Sequence, residues 1–251
     1  MESIISFLEN KYRSFFPKRI KSHKLICKIF TNKKGIEIGG PSSILGKKGF
    51  LPIYNYNLSL DNANFSNQTI WEGNLIEGNQ FKIDKSTFKQ LIREASNLRQ
   101  IEDSTYEFLI SSHNIEHLAN PLKAIIEWKR VVKPNGYFLF ILPNKEGTFD
   151  HKRPVTTIDH LIDDLNKNTE ESDDTHFEEI LKLHDLSRDP GGLSFEDFHK
   201  RTIKNYENRC VHHHVFNLSL LEEIAKYSKI KILHLTKFSK IHLVLIGENI
   251  K

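Results

Sequence analysis

The chain has 251 residues, of which 38% are hydrophobic and 27% charged, with a net charge of +4. That composition suits one large globular α/β domain, or a core with a sizeable insertion, and it is long enough to bury a real core. No stretch approaches the ~20 apolar residues of a membrane span, and two cysteines, Cys27 and Cys210, offer neither a disulfide framework nor a paired zinc motif.

Residues 2 to 30 read as mostly helical, with Ile4, Leu8 and Tyr12 along one face and a break near Pro17. The opening MESIISFLENKYRS carries acids and no small-residue cleavage site, so it reads against a signal peptide and makes the cytoplasm the expected compartment. Lys11 to Lys34 hold nine Lys or Arg and no acid. This is a solvated amphipathic face or a peripheral contact with an anionic surface. No basic stripe interleaved with aromatics accompanies it, so nucleic acid is not an expected partner. Residues 1–34 are taken as an N-terminal helical segment.

GIEIGG follows, Gly35 to Gly40. Glu37 lies between Ile36 and Ile38, and the Gly-Gly-Pro step ends the run. The spacing predicts a buried strand over roughly 35–39 and then a tight turn. Such a turn at the carboxyl edge of a parallel sheet is where α/β proteins bind nucleotides. It is not a dinucleotide fingerprint, because Pro41, Ser42 and Ser43 stand where a third glycine would be needed. That argues against a nicotinamide oxidoreductase. Leu58 to Leu60 lead into Asp61, 22 residues beyond Gly39, which is expected at a strand end where it would accept hydrogen bonds from a ribose.

A helix is expected from about Ser86 to Ala95. Tyr106 to Ile110 is a strand ending in Ser111, Ser112 and His113. Asn120 and Pro121 punctuate the start of a helix whose apolar face is Leu122, Ile125 and Val132. Lys133-Pro134-Asn135-Gly136 ends it. Tyr137 to Leu142 reads as a central parallel strand. Residues 144–210 read as an insertion rich in His, Asp and Glu, with six acids between Thr169 and Glu179. Leu218 to Tyr227 is helical, and Ile230 to Leu235 with Ile241 to Ile246 predict a closing hairpin.

The order of elements, the Gly35–Ser43 stretch and FLISSHNIEHLANPLKAIIEWKRVVKPNGYFLFILP over 108–143 resemble the class I S-adenosylmethionine-dependent methyltransferases, in their small-molecule branch. The resemblance covers roughly 35–143 and 217–247. It implies a Rossmann-like α/β fold with a mostly parallel seven-stranded sheet, a C-terminal antiparallel hairpin and a helical insertion after strand five. The core would be 35–143 and 211–251, with 144–210 as a substrate lid. NRCVHHHVF and TFDHKRPVTTIDHL look like a subgroup often found in surface-polysaccharide contexts.

What the resemblance implies for the site is as follows. Glu37, Gly39 and the backbone of Gly40 would face the methionine part of S-adenosylmethionine. Asp61, with Asn62 beside it, would bind the ribose, and Glu94 and Ala95 would contact adenine. Ser111 and His113 would lie near the sulfonium. Pro41 departs from the pattern, where many members carry another glycine.

A neutral hydroxyl acceptor needs a base, and histidine titrates near neutrality. The candidates are His113 and, just before the terminal helix, His213 and His214, with His212 beside them. Imidazoles with Asp150 and Asp185 could instead hold a divalent ion, but the spacing matches no ligand motif and no metal is expected. The reading is O-methylation of a sugar, a nucleotide-activated sugar or a capsular polysaccharide substituent. An N-methyltransferase of a small molecule and a non-catalytic S-adenosylmethionine-binding module are the alternatives.

Overall fold

The computed structural model describes residues 18–21, 23–189 and 191–250. The first part of the helix expected over 2 to 30 lies outside them. Within them α1 is His23–Phe30.

β1 (Lys34–Ile38) runs into the glycine turn, and β2 (Ser59–Asn64) lies parallel beside it. A two-stranded ribbon follows, β3 (Gln68–Thr69) with β4 (Gly73–Asn74). β5 (Gln80–Ile83) and β6 (Ser86–Ile92) form a hairpin. Then come β7 (Tyr106–Ser112), α2 (Pro121–Val131) and β8 (Val132–Pro143). Four helices make the insertion: α3 (Ile158–Lys167), α4 (Phe177–Leu183), α5 (Phe195–Ile203) and α6 (Asn205–Asn208). The chain closes with α7 (Leu218–Tyr227), β9 (Ile230–Phe238) and β10 (His242–Asn249).

The main sheet has eight strands in the order β5-β6-β2-β1-β7-β8-β10-β9. β6, β2, β1, β7 and β8 are mutually parallel, and β10 is antiparallel to both β8 and β9. The strand order reverses between β1 and β7, which opens a crevice at their carboxyl ends. The eighth strand is β5, which adds antiparallel to the edge.

The expected helix over Ser86 to Ala95 is the strand β6. Its Ser86, Phe88 and Gln90 are buried while Thr87 and Lys89 are exposed, a period of two rather than 3.6. Asp84 and Lys85 turn the hairpin, with Asp84 at φ 52°. The central strands are apolar on both sides because both faces are covered. α2 and α7 pack one face through Leu122, Ile125, Trp128, Leu221 and Ile224. α1 and the 43–58 segment cover the other through Phe30, Leu45, Leu51 and Tyr54. Asn120 caps α2 by accepting from the Lys123 amide at 3.0 Å, with Pro121 in the first turn.

Candidate active site

A cavity of about 880 Å³ opens at the carboxyl ends of β1, β2, β6 and β7 and is closed on its far side by residues of the insertion. Its floor is the glycine turn. Gly39 has φ 75°, and a Cβ there would lie 2.6 Å from the Asn114 amide nitrogen. A Cβ on Gly40 would lie 2.3 Å from the Glu37 carboxyl carbon. Both positions therefore need glycine for space, and Gly39 needs it for conformation as well.

Glu37 is wholly buried and is the fastener of this turn. One carboxylate oxygen accepts from the Ser42 amide at 3.0 Å, and the Tyr54 hydroxyl lies 2.7 and 2.9 Å from the two oxygens. Burial raises its pKa to about 7 against the pull of these donors. Gly40 is held from the other side, since the Asn62 and Asn64 side chains each donate to its carbonyl at 2.9 Å. Gly39 lines the cavity, whereas Glu37, Gly40 and Asn62 stand behind its wall.

Asp61 is not at a strand end. β2 runs three residues further, to Asn64, and it is Asn64 that reaches the cavity. Asp61 pairs in register with Ile36, inside β1, accepts from the Tyr106 hydroxyl at 2.7 Å and lies 3.8 Å from the Lys34 ammonium. Both partners open their own strands, so the carboxylate faces away from the carboxyl edge. Glu94 and Ala95 do line the cavity, just past β6. Ser111 is buried off it, and Ser112, the next residue on an alternating strand, faces it and lies 3.0 Å from the Ser42 hydroxyl.

The histidines separate sharply. His113 lines the cavity at φ 50°. Its Nε2 is 2.9 Å from His242 Nδ1 and its Nδ1 is 3.4 Å from Glu116 Oε1. Glu116 is completely buried, and neither of its oxygens has a well-formed hydrogen bond among the described residues. Burial would raise its pKa, but His113, His117 and His212 outweigh burial and hold it below the ordinary glutamate value. His117 donates Nδ1–H to the Val211 carbonyl at 3.0 Å, and burial, then His212, push it down to about 4.

His213 and His214, expected as bases, are not at the cavity. His213 is fully buried with Nε2 3.1 Å from the Asn205 side chain, and burial drives its pKa to about 3. His214 points its Nε2 at the Ala119 carbonyl, 3.3 Å away. Only His212 of the three lines the cavity. Its Nδ1 lies 2.5 Å from Asp150 Oδ2, while Nε2 has no hydrogen-bond partner among the described residues. Burial would lower its pKa, yet the Asp150 carboxylate outweighs burial and raises it. Arg153, 1% exposed, fixes the pair: it reaches Asp150 at 3.0 Å, the His212 carbonyl at 2.7 Å and the His213 carbonyl at 3.1 Å. TFDHKRP and VHHHV thus meet in space, and the acid between Phe149 and His151 was the signal that separates His212 from its neighbours.

The outer half of the cavity carries Trp71, 52% exposed, with its ring 5.4 Å from that of His117. Arg188, Arg201 and Arg209 also line the cavity. Arg209 bridges Glu94 at 2.9 Å and Glu171 at 2.5 Å, tying the turn after β6 to the insertion.

Among the described residues, two sets of three bring potential metal-ligand atoms within 4.8 Å of one another: Glu116, His117 and His212 at the cavity, and His160, His176 and His214 under the insertion. Asp150 and Asp185, the acids expected near a metal, are instead taken by His212 and by His151, at 2.5 and 2.7 Å.

Residues 39–140 match a family described as "Methyltransferase domain". No curated protein matches the sequence. Among solved structures, a SAM-dependent methyltransferase from Methanosarcina mazei is 17% identical, with 92% of this chain and 99% of that one covered and a TM-score of 0.51. One from Aquifex aeolicus is 13% identical over 91% of this chain and 90% of its own, with a TM-score of 0.47. The Burkholderia thailandensis 1,6-didemethyltoxoflavin-N1-methyltransferase, solved with S-adenosylhomocysteine, is 6% identical over 100% of this chain and 87% of its own, with a TM-score of 0.49. At these identities the likeness speaks for the fold, and the first carries it.

The cavity has room for a donor of the size of S-adenosylmethionine. Its volume of about 880 Å³ falls within the range of roughly 300–1,000 Å³ for small-molecule sites. At Gly39 the cradle is one that a single Cβ would fill.

Proposed function

We propose that the chain methylates a hydroxyl of a sugar or nucleotide-activated sugar, with His212 as general base and Asp150 as its positioning partner. The observation that carries this is the Asp150–His212 pair at the cavity wall, 2.5 Å between Nδ1 and Oδ2. The carboxylate fixes the tautomer with the proton on Nδ1, so the Nε2 lone pair is free to take the acceptor's proton.

Gly39, Asn64, Glu94 and Ala95 would hold S-adenosylmethionine, with Asn64 in the ribose-facing place expected of Asp61. The donor supplies an activated methyl group. The protein supplies alignment, worth roughly 7–11 kcal/mol, and the base. His113, held by His242 and Glu116, would orient the acceptor rather than take its proton, because both its ring nitrogens face other groups. A polyhydroxylated acceptor is supported by the exposed Trp71 face beside arginines and imidazoles. The helices of 144–210 would act as its lid.

The test is turnover with a panel of sugars and nucleotide sugars. His212→Ala should lower kcat by about 10²–10⁴-fold while leaving S-adenosylhomocysteine affinity, by calorimetry, nearly unchanged. The wild-type rate should rise with pH through a value above 6.5, since the base works as neutral imidazole and Asp150 raises its pKa. Asp150→Asn should move that limb to lower pH. Near-full activity of His212→Ala would instead favour a nitrogen acceptor, which needs no strong base. No affinity for S-adenosylhomocysteine would remove the reading at its root.

A further inference from the structure

The second histidine group lies outside the cavity, and the proposed reaction does not use it. His160 and Asp164 are one turn apart on α3 and share a face. His176 directly precedes α4, and His214 belongs to the segment entering α7. The Nε2 atoms of His160 and His176 are 3.1 Å apart. Asp164 Oδ2 is 3.3 Å from His160 Nε2 and 3.7 Å from His214 Nε2. A tetrahedral zinc ion with bonds of about 2.0–2.2 Å separates its ligand atoms by about 3.3–3.6 Å. The observed spacings straddle that value.

Hydrogen bonding alone leaves this group poorly satisfied. Asp164 Oδ2 is buried and has no hydrogen-bond partner among the described residues, although Asp164 Oδ1 accepts from the Thr169 hydroxyl at 3.0 Å. The protein competitor for His214 Nε2 is the Ala119 carbonyl, at a long 3.3 Å. The Thr169 bond to the outer carboxylate oxygen is the arrangement that orients a metal-ligating acid.

We propose that His160, Asp164, His176 and His214 form a closed four-ligand site for a divalent zinc-class cation. Three imidazoles and one carboxylate suit zinc, and cobalt can stand in for it as a probe. The ion would pin α3 and the start of α4 to the His212–His214 segment. It would therefore set the position of the Asp150–His212 pair without touching the acceptor. His160, with 40% of its side chain exposed, is the side from which the ion enters.

The experiment uses the full-length chain without a histidine tag, dialysed metal-free. It is titrated with Co²⁺, then with Zn²⁺, following visible absorption, metal content and melting temperature. The expected result is about one Zn²⁺ per chain, an intense tetrahedral Co²⁺ spectrum and a rise in melting temperature on loading. His160→Ala and Asp164→Asn should each weaken Zn²⁺ binding by about 100-fold or more. The first truncates a partly exposed side chain and the second is isosteric, so both are expected to fold, which circular dichroism checks. His117→Ala should leave the affinity as it is. Absence of bound metal, or binding lost in His117→Ala but kept in His160→Ala, overturns the proposal.

Discussion

Tyr54 matters because of what its hydroxyl touches. It donates to a carboxylate with no exposure, whose one other donor among the described residues is the Ser42 amide. Tyr54→Phe should cost about 1–3 kcal/mol, the range for leaving a buried polar group short of a donor. The pH dependence has a definite sign. Glu37 has a folded pKa raised to about 7 from 4.5, so its contribution to stability is fully present below 4.5 and is lost as pH rises through 7. The lost hydroxyl served the charged form. The deficit of Tyr54→Phe should therefore be larger at pH 8 than at pH 5, and urea unfolding at the two pH values measures it. An equal deficit would mean that Glu37 keeps one protonation state over this range. Residue identity in the sequence pointed to Glu37, but burial decides its role: it braces the turn. The same limit explains His213 and His214. Three adjacent histidines look alike in sequence, and only the long-range partners Asp150, Asn205 and Ala119 tell them apart.

At the scale of elements, the β1 turn is legible because glycine is the residue such geometry demands. Gly39→Ala places a Cβ 2.6 Å from Asn114 at φ 75°. The strain should be about 1–3 kcal/mol. It should show as a roughly 10–100-fold loss of S-adenosylhomocysteine affinity by calorimetry. Gly35→Ala is the contrast. Its Cβ would meet the Phe108 ring at 2.2 Å, inside the core and away from the cavity. That variant should lose melting temperature first, and affinity only as a consequence. The parallel strands and the closing hairpin were readable because continuous apolar runs need two covered faces. β6 was not, because two of the three residues that alternate inward, Ser86 and Gln90, are polar side chains buried by pairing, and only Phe88 between them is apolar. β2 was cut short for a like reason. Asn62 and Asn64 look like turn residues, yet both are buried, with their amides on the Gly40 carbonyl.

At the scale of the molecule, the insertion and the core are joined by a small number of buried arginines. Arg209 sits between Glu94, in the cavity lining just past β6, and Glu171, on the insertion. It also lies 5.2 Å from the ring centre of Phe65, just past β2. Burial raises Glu171 to about 6 even with Arg209 opposing it. Arg209→Ala removes that opposition and leaves a mostly buried carboxyl unpaired. Breaking a buried pair costs about 3–5 kcal/mol. The Glu94 side chain is 36% exposed and regains water, so about 2–3 kcal/mol is expected. The loss should be local. Hydrogen exchange should quicken in 144–210 while β1 and β7 stay protected, because no strand of the sheet depends on this arginine. The defect should shrink on lowering pH from 8 to 5, as Glu171 takes up a proton and needs no partner. A uniform loss of protection, or a defect that does not change with pH, would show that Arg209 supports the whole sheet and not the joint between the insertion and the sheet.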